Sequence, residues 1–469
     1  MPSSTSQRTS IDLAELRRAV KGPVIGPDDA EYDEARTVFI GGIDRRPAVI
    51  VRVSGTADIS HVVSLARGQG LELAIRSGGH SGAGHGVTDG GIVLDLRNMK
   101  GLEIDAAGRS AWAESGLTAG EFTTAVGAHG RATGFGDTGS VGIGGLTLGG
   151  GVGYLVRKYG LTIDNLLAAD IVTSDGQLLR VDTESHPDLF WAIRGGGGNF
   201  GVVTRFQFHM DEVDTIVGGI LILPATPGVI ASFIAEAEAA PEELSTIANV
   251  MPAPPMPFLA PEHHGRLIVM AFLAHAGGGE AGERAVAPFR SLAEPIADMV
   301  RTMRYPEMYP PDDPSYHPTA VGHTMFADGV SRSEAETIVD HLQASDASLR
   351  VAQLRVLGGA MARVAPEATA FAHRTRRIMV NLAAFYDGPD DRPRRELWVK
   401  EFAAALRQSE AGAYVNFLGE EGEARVREAY PGSTWDRLVA IKARYDPTNF
   451  FRLNQNVPTV SKGAAPAVR

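Results

Sequence analysis

VGIGGLTLGGGVGYLVRKYG, residues 141–160, carries seven glycines between positions 141 and 153. Each glycine costs a helix roughly 1 kcal/mol relative to alanine. In a strand it leaves nothing to pack. The segment is therefore expected to be neither a stable helix nor a packed strand. It suits close approach of the backbone to something flat or anionic. The alternative is a low-complexity linker, but Leu146, Leu148, Val152, Tyr154 and Leu155 are interleaved with the glycines. A solvated linker has no need of them.

Working outward, the chain has 55 glycines in 469 residues, with further clusters at 78–91 and 195–201. The first, RSGGHSGAGHG (76–86), directly follows an apolar run, LELAIR, read as a strand. Consecutive glycines there can turn N–H groups inward as an anion nest, with Ser77 and Ser81 adding hydroxyl donors. The alternative is a plain flexible loop. The other cluster contains one GxGxxG, at Gly196–Gly201. A dinucleotide fingerprint requires strand, glycines, then helix. Here HPDLFWAIR reads as a helix and GVVTRFQF as a strand, so the order is reversed and that site is rejected. No GxxxxGK[ST] occurs, which excludes a Walker-type loop.

Composition narrows the classes further. Net charge is −12, unfavourable for nucleic acid or anionic membranes. The absence of cysteine excludes disulfides, thiolate metal sites and a cysteinyl cofactor bond. His263-His264 lies in a proline-rich loop and no HxxxH is present, so no metal is expected. The N-terminus has no apolar signal region and no stretch of 18 apolar residues exists, which makes the cytoplasm the default location.

Residues 1–30 read as polar and frayed apart from a helix over Leu13–Val20. Strands are expected at 47–54, 71–76, 91–96 and 201–210, with a hairpin at 167–181 about Asp175-Gly176. Thr56 or Asp58 is expected to cap one helix and Thr118 another, over 119–128. After Asp211, helices at 228–244, 281–296, 331–344 and 394–407 alternate with strands at 266–275, 349–357, 378–386 and 413–418. Proline-rich loops occupy 251–264 and 305–318, and a last helix 434–445 precedes DPTNFFRLNQNVP.

Four segments, IRSGGHSGAGHG, GSVGIGGLTLGGGVGYLVRKYGLTIDNL, DLFWAIRGGGGNFGVVT and YDPTNFFRLNQNVP, appear in this order and spacing. Together they resemble the FAD-linked oxidases of the vanillyl-alcohol oxidase superfamily, closest to its berberine-bridge-enzyme-like branch. The resemblance runs from about Tyr32 to Pro458. It implies an α+β, two-domain PCMH-type FAD-binding fold, whose substrate domain has a largely antiparallel sheet flanked by helices. The corresponding divisions are an N-terminal segment 1–31, an FAD domain 32–211, a substrate domain 212–430 and a C-terminal return 431–469.

The same resemblance implies roles for residues. Arg76, Ser77, Gly78, Gly79, His80 and Ser81 match the pyrophosphate loop, followed by Gly84 and His85. His80 matches the histidine bonded to the flavin 8α-methyl carbon, the alternative being a loop histidine beside noncovalent FAD. Thr138 stands where many relatives have a second, cysteinyl link, so a single linkage is implied. Val141, Gly142, Gly144, Gly145, Leu146, Gly149, Gly150, Gly151, Gly153 and Tyr154 match the segment along the flavin ring. Tyr159 is a further candidate to flank it. Gly198, Asn199, Gly201, Val202 and Val203 match backbone contacts to the adenine and pyrophosphate half. Asn454 and Asn456 match amides at the flavin edge. Tyr414 and Asn416, read as sharing one face of a strand, are the catalytic candidates, with His373 and Arg374 lining or bracing the cavity. Tyr414 as a base requires a pKa well below about 10. Phe417 replaces a tyrosine common in relatives. The implied activity is oxidation of a small organic substrate, with O2 as acceptor. A flavin oxygenase of a polyketide-type pathway, or a flavin-free binding protein, is the alternative. No oligomeric state is implied.

Overall fold

A computed structural model describes residues 11–408 and 412–459. The first ten residues of the expected N-terminal segment, the last ten of the C-terminal one and Ala411 of the Tyr414 segment lie outside them. The fold is the expected two-part α+β architecture.

The first part is organised by two larger sheets, with a two-stranded pairing of Arg131–Ala132 and Asp211–Glu212 beside them. In the four-stranded sheet, Val49–Arg52 and Leu73–Arg76 run parallel to the central Ile92–Asp95. Val24–Ile25 adds to its edge. Residues 11–30 are thus less frayed than their polarity suggests, because Leu16, Val20 and Val24 enter the core beneath this sheet. The second sheet is antiparallel, with strands in the order Leu102–Asp105, Ser110–Glu114, Val202–His209, Leu166–Val172, Leu178–Val181. Its last two strands form the expected hairpin. Helix Pro187–Ile193 precedes strand Val202–His209, the reversed order read from the sequence.

Thr118 caps its helix as expected. The Thr118 hydroxyl accepts from the Glu121 N–H, and the Glu121 carboxylate accepts in return from the Thr118 N–H. Helix Thr56–Gln69 instead starts at Gly55 with no side-chain cap. The Asp58 carboxylate accepts from the N–H groups of Lys21, Gly22 and Ser54, tying the N-terminal segment to the helix start.

The second part is an eight-stranded sheet whose named pairings are all antiparallel. Its central strands follow the order Thr215–Pro224, Leu267–Ala276, Leu244–Pro252, Arg350–Val356, Ile378–Phe385, Ala320–Ala327. Helices Pro227–Ala239, Gly279–Arg290, Arg332–Ala344 and Arg392–Leu406 contribute to a core with residues such as Leu221, Val250, Leu273 and Leu354 on one face. The other face turns to the first part. The helix expected over 228–244 ends at Ala239, and a strand begins at Leu244. Strands 215–224 and 320–327 were also not anticipated. No helix among the described residues is long and apolar enough to cross a membrane.

Candidate active site

A cavity of about 390 Å³ is lined by the first part, the Tyr414–Leu418 turn and the chain's return, from four directions. The loop after strand Leu73–Arg76 contributes Ser77 to Ser81, His85 and Gly86. The 136–148 segment contributes Gly136 to Thr138, Val141, Gly142, Gly144, Gly145, Leu146 and Leu148. The third cluster contributes Gly197, Gly198, Gly201, Val202 and Val203. The last wall is Tyr414 to Leu418 with Phe451 and Leu453 to Gln455.

The glycine run departs from expectation. Ile143–Leu148 is a short helix, held because Ile143 and Leu146 are buried against the first part. Burial here outweighs propensity. Glycine remains a packing requirement. A β-carbon on Gly78 would come within 2.2 Å of the Gly142 nitrogen, so these clusters meet back to back. One on Gly149 would lie 2.0 Å from Asn416 Oδ1.

Several expected cofactor contacts pack behind the lining instead. Gly149, Gly150, Gly151 and Gly153 press on Asn416, Phe371, Thr162 and the Phe135 carbonyl. Gly84 meets Ile43. Tyr154 is buried with Tyr305 and Tyr309, Tyr159 packs against the same cluster, and the Tyr154 hydroxyl donates to the Asp137 carbonyl at 3.2 Å. The Asn199 amide donates to the carbonyls of Gly196 and Gln455, and its oxygen accepts from the Val457 N–H.

Within the loop, Arg76 donates to Asp95 at 2.8 Å and to the Ala35 carbonyl at 2.6 Å. It anchors the loop from below, so its charge is spent inside the protein. The Ser77 hydroxyl likewise donates to the Ser115 carbonyl at 2.6 Å rather than standing free for a ligand. The His80 ring stacks on Phe39 with centroids 4.0 Å apart. Burial lowers its pKa to about 4, against a smaller opposing pull from Asp312, so the imidazole is neutral near pH 7.

At the other end, Val415–Phe417 is a single 3-10 turn, so Tyr414 and Asn416 do not alternate along a strand. They still converge. The Tyr414 oxygen accepts from the Gly151 N–H at 2.9 Å and from Asn416 Nδ2 at 3.0 Å. Asn416 also donates to the Leu146 carbonyl at 3.0 Å. Gly151 adopts φ +79° to present that N–H. Burial raises the Tyr414 pKa, and the Gly151, Asn416 and Arg355 contributions offset this only in part. The lowered value required of a base at neutral pH is absent in this state.

His373 and Arg374 are not part of the cavity lining. Arg374 is fully buried and pairs with Asp164 at 2.7 and 2.8 Å. The His373 Nε2 lies 2.9 Å from the Glu428 carbonyl, and burial lowers its pKa to about 4. Both brace the fold.

Asp137, unmarked by any sequence pattern, lines the cavity and pairs with Arg355 at 2.6 Å. Gln455 is a second such residue, and its amide donates to the carbonyls of Leu418 and Gly419. Neither belongs to a local pattern, although each adjoins a residue that had been singled out.

The cavity accommodates the chemistry of FAD. Asn454 Oδ1, Asn456 Oδ1 and Ser140 Oγ are buried polar atoms without protein partners, and Asn454 is in the lining. Unpartnered buried polar atoms are costly unless a ligand satisfies them. Glycine-rich walls from three clusters leave backbone open to a flat, anionic dinucleotide. Among the described residues no group of three or more His, Asp or Glu is placed to hold a metal.

Comparison with known proteins agrees with this geometry. Residues 47–182 match the FAD binding domain family and residues 413–458 the berberine and berberine-like family. The chain is 31% identical over 459 residues to (R)-6-hydroxynicotine oxidase of Paenarthrobacter nicotinovorans, covering 94% of this chain and 97% of that one. It is 28% identical to xylooligosaccharide oxidase of Thermothelomyces thermophilus, covering 96% and 95% of the two chains. The crystal structure of 6-hydroxy-D-nicotine oxidase from Arthrobacter nicotinovorans superposes with a TM-score of 0.83 at 29% identity, covering 94% of this chain and 98% of that one. Physcomitrella patens BBE-like 1, at 22% identity and TM-score 0.84, covers 96% and 100% and shares the fold. The fold, the cavity and these relatives together establish that the chain is an FAD-linked oxidoreductase belonging to the berberine-bridge-enzyme-like superfamily of FAD-linked oxidases.

Proposed function

We propose that this enzyme is an oxidase. It takes a hydride from an alcohol, amine or related C–H bond of a small organic substrate, passes the electrons to O2 and acts in the cytoplasm. The observation that carries the reading is the convergence of the three glycine clusters, the Tyr414–Leu418 turn and Phe451–Gln455 on one cavity. Bound FAD would supply the two-electron acceptor and its return by O2, giving hydrogen peroxide.

The FAD part comprises 32–211 with the return of 431–469, and the substrate part 212–430. The Ser77–Ser81 backbone, the Val141–Leu146 segment and Gly198–Val203 would hold the cofactor, and Asn454 would supply an amide to it. His80 would hold the flavin covalently, through its 8α-methyl carbon. That role requires a neutral imidazole nitrogen, and burial keeps His80 unprotonated near pH 7. Thr138 makes no bond.

Tyr414 acts on the substrate. Its oxygen already accepts two N–H bonds, which leaves its proton free to be donated into the cavity. At neutral pH it orients the substrate heteroatom, and as pH rises the ionised fraction becomes a base. Asn416 holds its orientation.

Covalent attachment is tested by acid precipitation and tryptic mapping. FAD should remain with the polypeptide on one peptide containing His80, and His80→Ala should abolish retention while the protein stays folded. Release of all flavin from the native protein rejects the bond. A second flavin-bearing peptide containing Thr138 rejects the single linkage.

A further inference from the structure

The face of the eight-stranded sheet turned toward the first part carries a polar row that the cofactor cavity does not use. Strand register places Asn249 opposite Gln353, and Gln353 opposite Asn381. Thr324 continues the row beyond Asn381, and Met270 lies beyond Asn249. Side chains at paired register positions share a face. The row therefore sets three carboxamides and a hydroxyl side by side across four neighbouring strands. Gln353 Nε2 donates to Asn249 Oδ1 at 2.9 Å. Gln353 and Asn381 are only partly buried, as are Phe272 and Val351 on the same face.

One row along stands Arg355, beside the reacting end of the cavity. Its guanidinium lies 5.2 Å from the Phe417 ring centroid and donates to the Val152 carbonyl. It also donates to Asp137 and twice to Gln353. Four of its five N–H donors are thus engaged. Arg350 turns to the helical side, where it donates to the carbonyls of Leu342 and Ala347. His275 lies on that side too, since it pairs in register with Val217 and Leu244 of the helical-side core. Among the described residues of strands 244–252, 267–276, 350–356 and 378–385, Arg355 is then the one charged side chain on the cavity-facing side. Its counter-ion Asp137 is already paired.

Resting on the oxidase reading above, we propose that this wall selects uncharged substrates bearing hydroxyl or carbonyl groups and discriminates against cationic amines. A carboxamide both donates and accepts, which matches a hydroxyl or carbonyl without a net charge. An ammonium brought against this wall would give up water with no free carboxylate to receive it. Burying an ion unpaired is strongly unfavourable. A carboxylate would meet a guanidinium whose donors are largely spent.

The test is calorimetric titration of the purified holoprotein at pH 7 with benzyl alcohol, benzylammonium and benzoate, which share one ring and differ in charge. Benzyl alcohol should bind at least about tenfold more tightly than either ion, a difference of roughly 1.4 kcal/mol. Asn381→Asp, and separately Gln353→Glu, should narrow or invert the preference over benzylammonium by at least about tenfold. Equal or tighter binding of benzylammonium by the native protein overturns the proposal. So does failure of all three to bind, or a ratio unchanged in both variants when their circular dichroism is native. Flavin content is read from the same samples. Flavin-free protein that keeps the alcohol preference would sink the oxidase reading and leave the wall's selectivity standing.

Discussion

Tyr414 holds its place because a glycine is missing a side chain. The slot over Gly149 admits Asn416, and Asn416 in turn donates to the tyrosine oxygen at 3.0 Å. The hydroxyl is thereby oriented through its lone pairs, with its proton directed elsewhere. An orienting hydroxyl or base is worth on the order of 10²–10⁴ in rate. Tyr414→Phe should therefore slow anaerobic flavin reduction at least about tenfold with a true substrate, while flavin content stays normal. The pH dependence provides a second readout. Since burial raises the Tyr414 pKa, the ionised fraction is small at pH 7 and grows as pH rises. The native reduction rate should climb through the alkaline range, and the Phe variant should lack that climb. An unchanged rate and profile in the variant would remove Tyr414 from the chemistry.

At the scale of elements, the third glycine cluster and the chain's return are joined by a buried cation. Lys442, on helix Ser433–Tyr445, donates to Asp446 at 2.7 Å, to the Asn199 carbonyl at 2.7 Å and to the Phe451 carbonyl at 2.9 Å. Both side chains of the pair are fully buried. Removing one partner of such a pair typically costs about 3–5 kcal/mol. Lys442→Met should lower the urea midpoint accordingly. It should also lower the flavin content of the purified protein, because Gly198 and Asn454 lose their shared support; a native midpoint would show the pair to be dispensable. The sequence discloses this helix by its period, yet not what its lysine holds. Elements signalled locally are legible: the hairpin about Asp175-Gly176, the Thr118 capping box and the helix-before-strand order around Gly196–Gly201. Leu244–Pro252 is not, because every residue in it is buried and no alternation remains to mark a strand. The turn at Val415–Phe417 escapes for the opposite reason, since its alternating side chains imitate a strand while tertiary contacts to Gly151 and Leu146 set its shape. In the same way, Asp137 and Arg355 are distant in sequence and meet only across the two parts of the molecule.

For the molecule as a whole, buried neutral histidines tie stability to pH. His373 and His85 are both held near a pKa of about 4 by burial. In the unfolded chain an imidazole titrates near 6.5. As pH falls between those values the unfolded state takes up the proton first, so stability is fully present above about 6.5 and is lost progressively toward 4. Each group contributes on the order of 1–3 kcal/mol to that loss. Urea midpoints at pH 7, 5.5 and 4.5 should fall accordingly, and His373→Phe should reduce the slope. An equal slope in the variant would assign the acid sensitivity elsewhere. The cavity's walls have a further consequence for how the protein is made. Ser77–Ser81 leaves the ribosome early, whereas Phe451, Leu453, Asn454 and Gln455, which face the same cavity, emerge after most of the chain. A nascent polypeptide therefore has no complete pocket until those residues are free of the exit tunnel. Full enclosure of a bound dinucleotide would therefore have to await release of the segment that supplies the last wall.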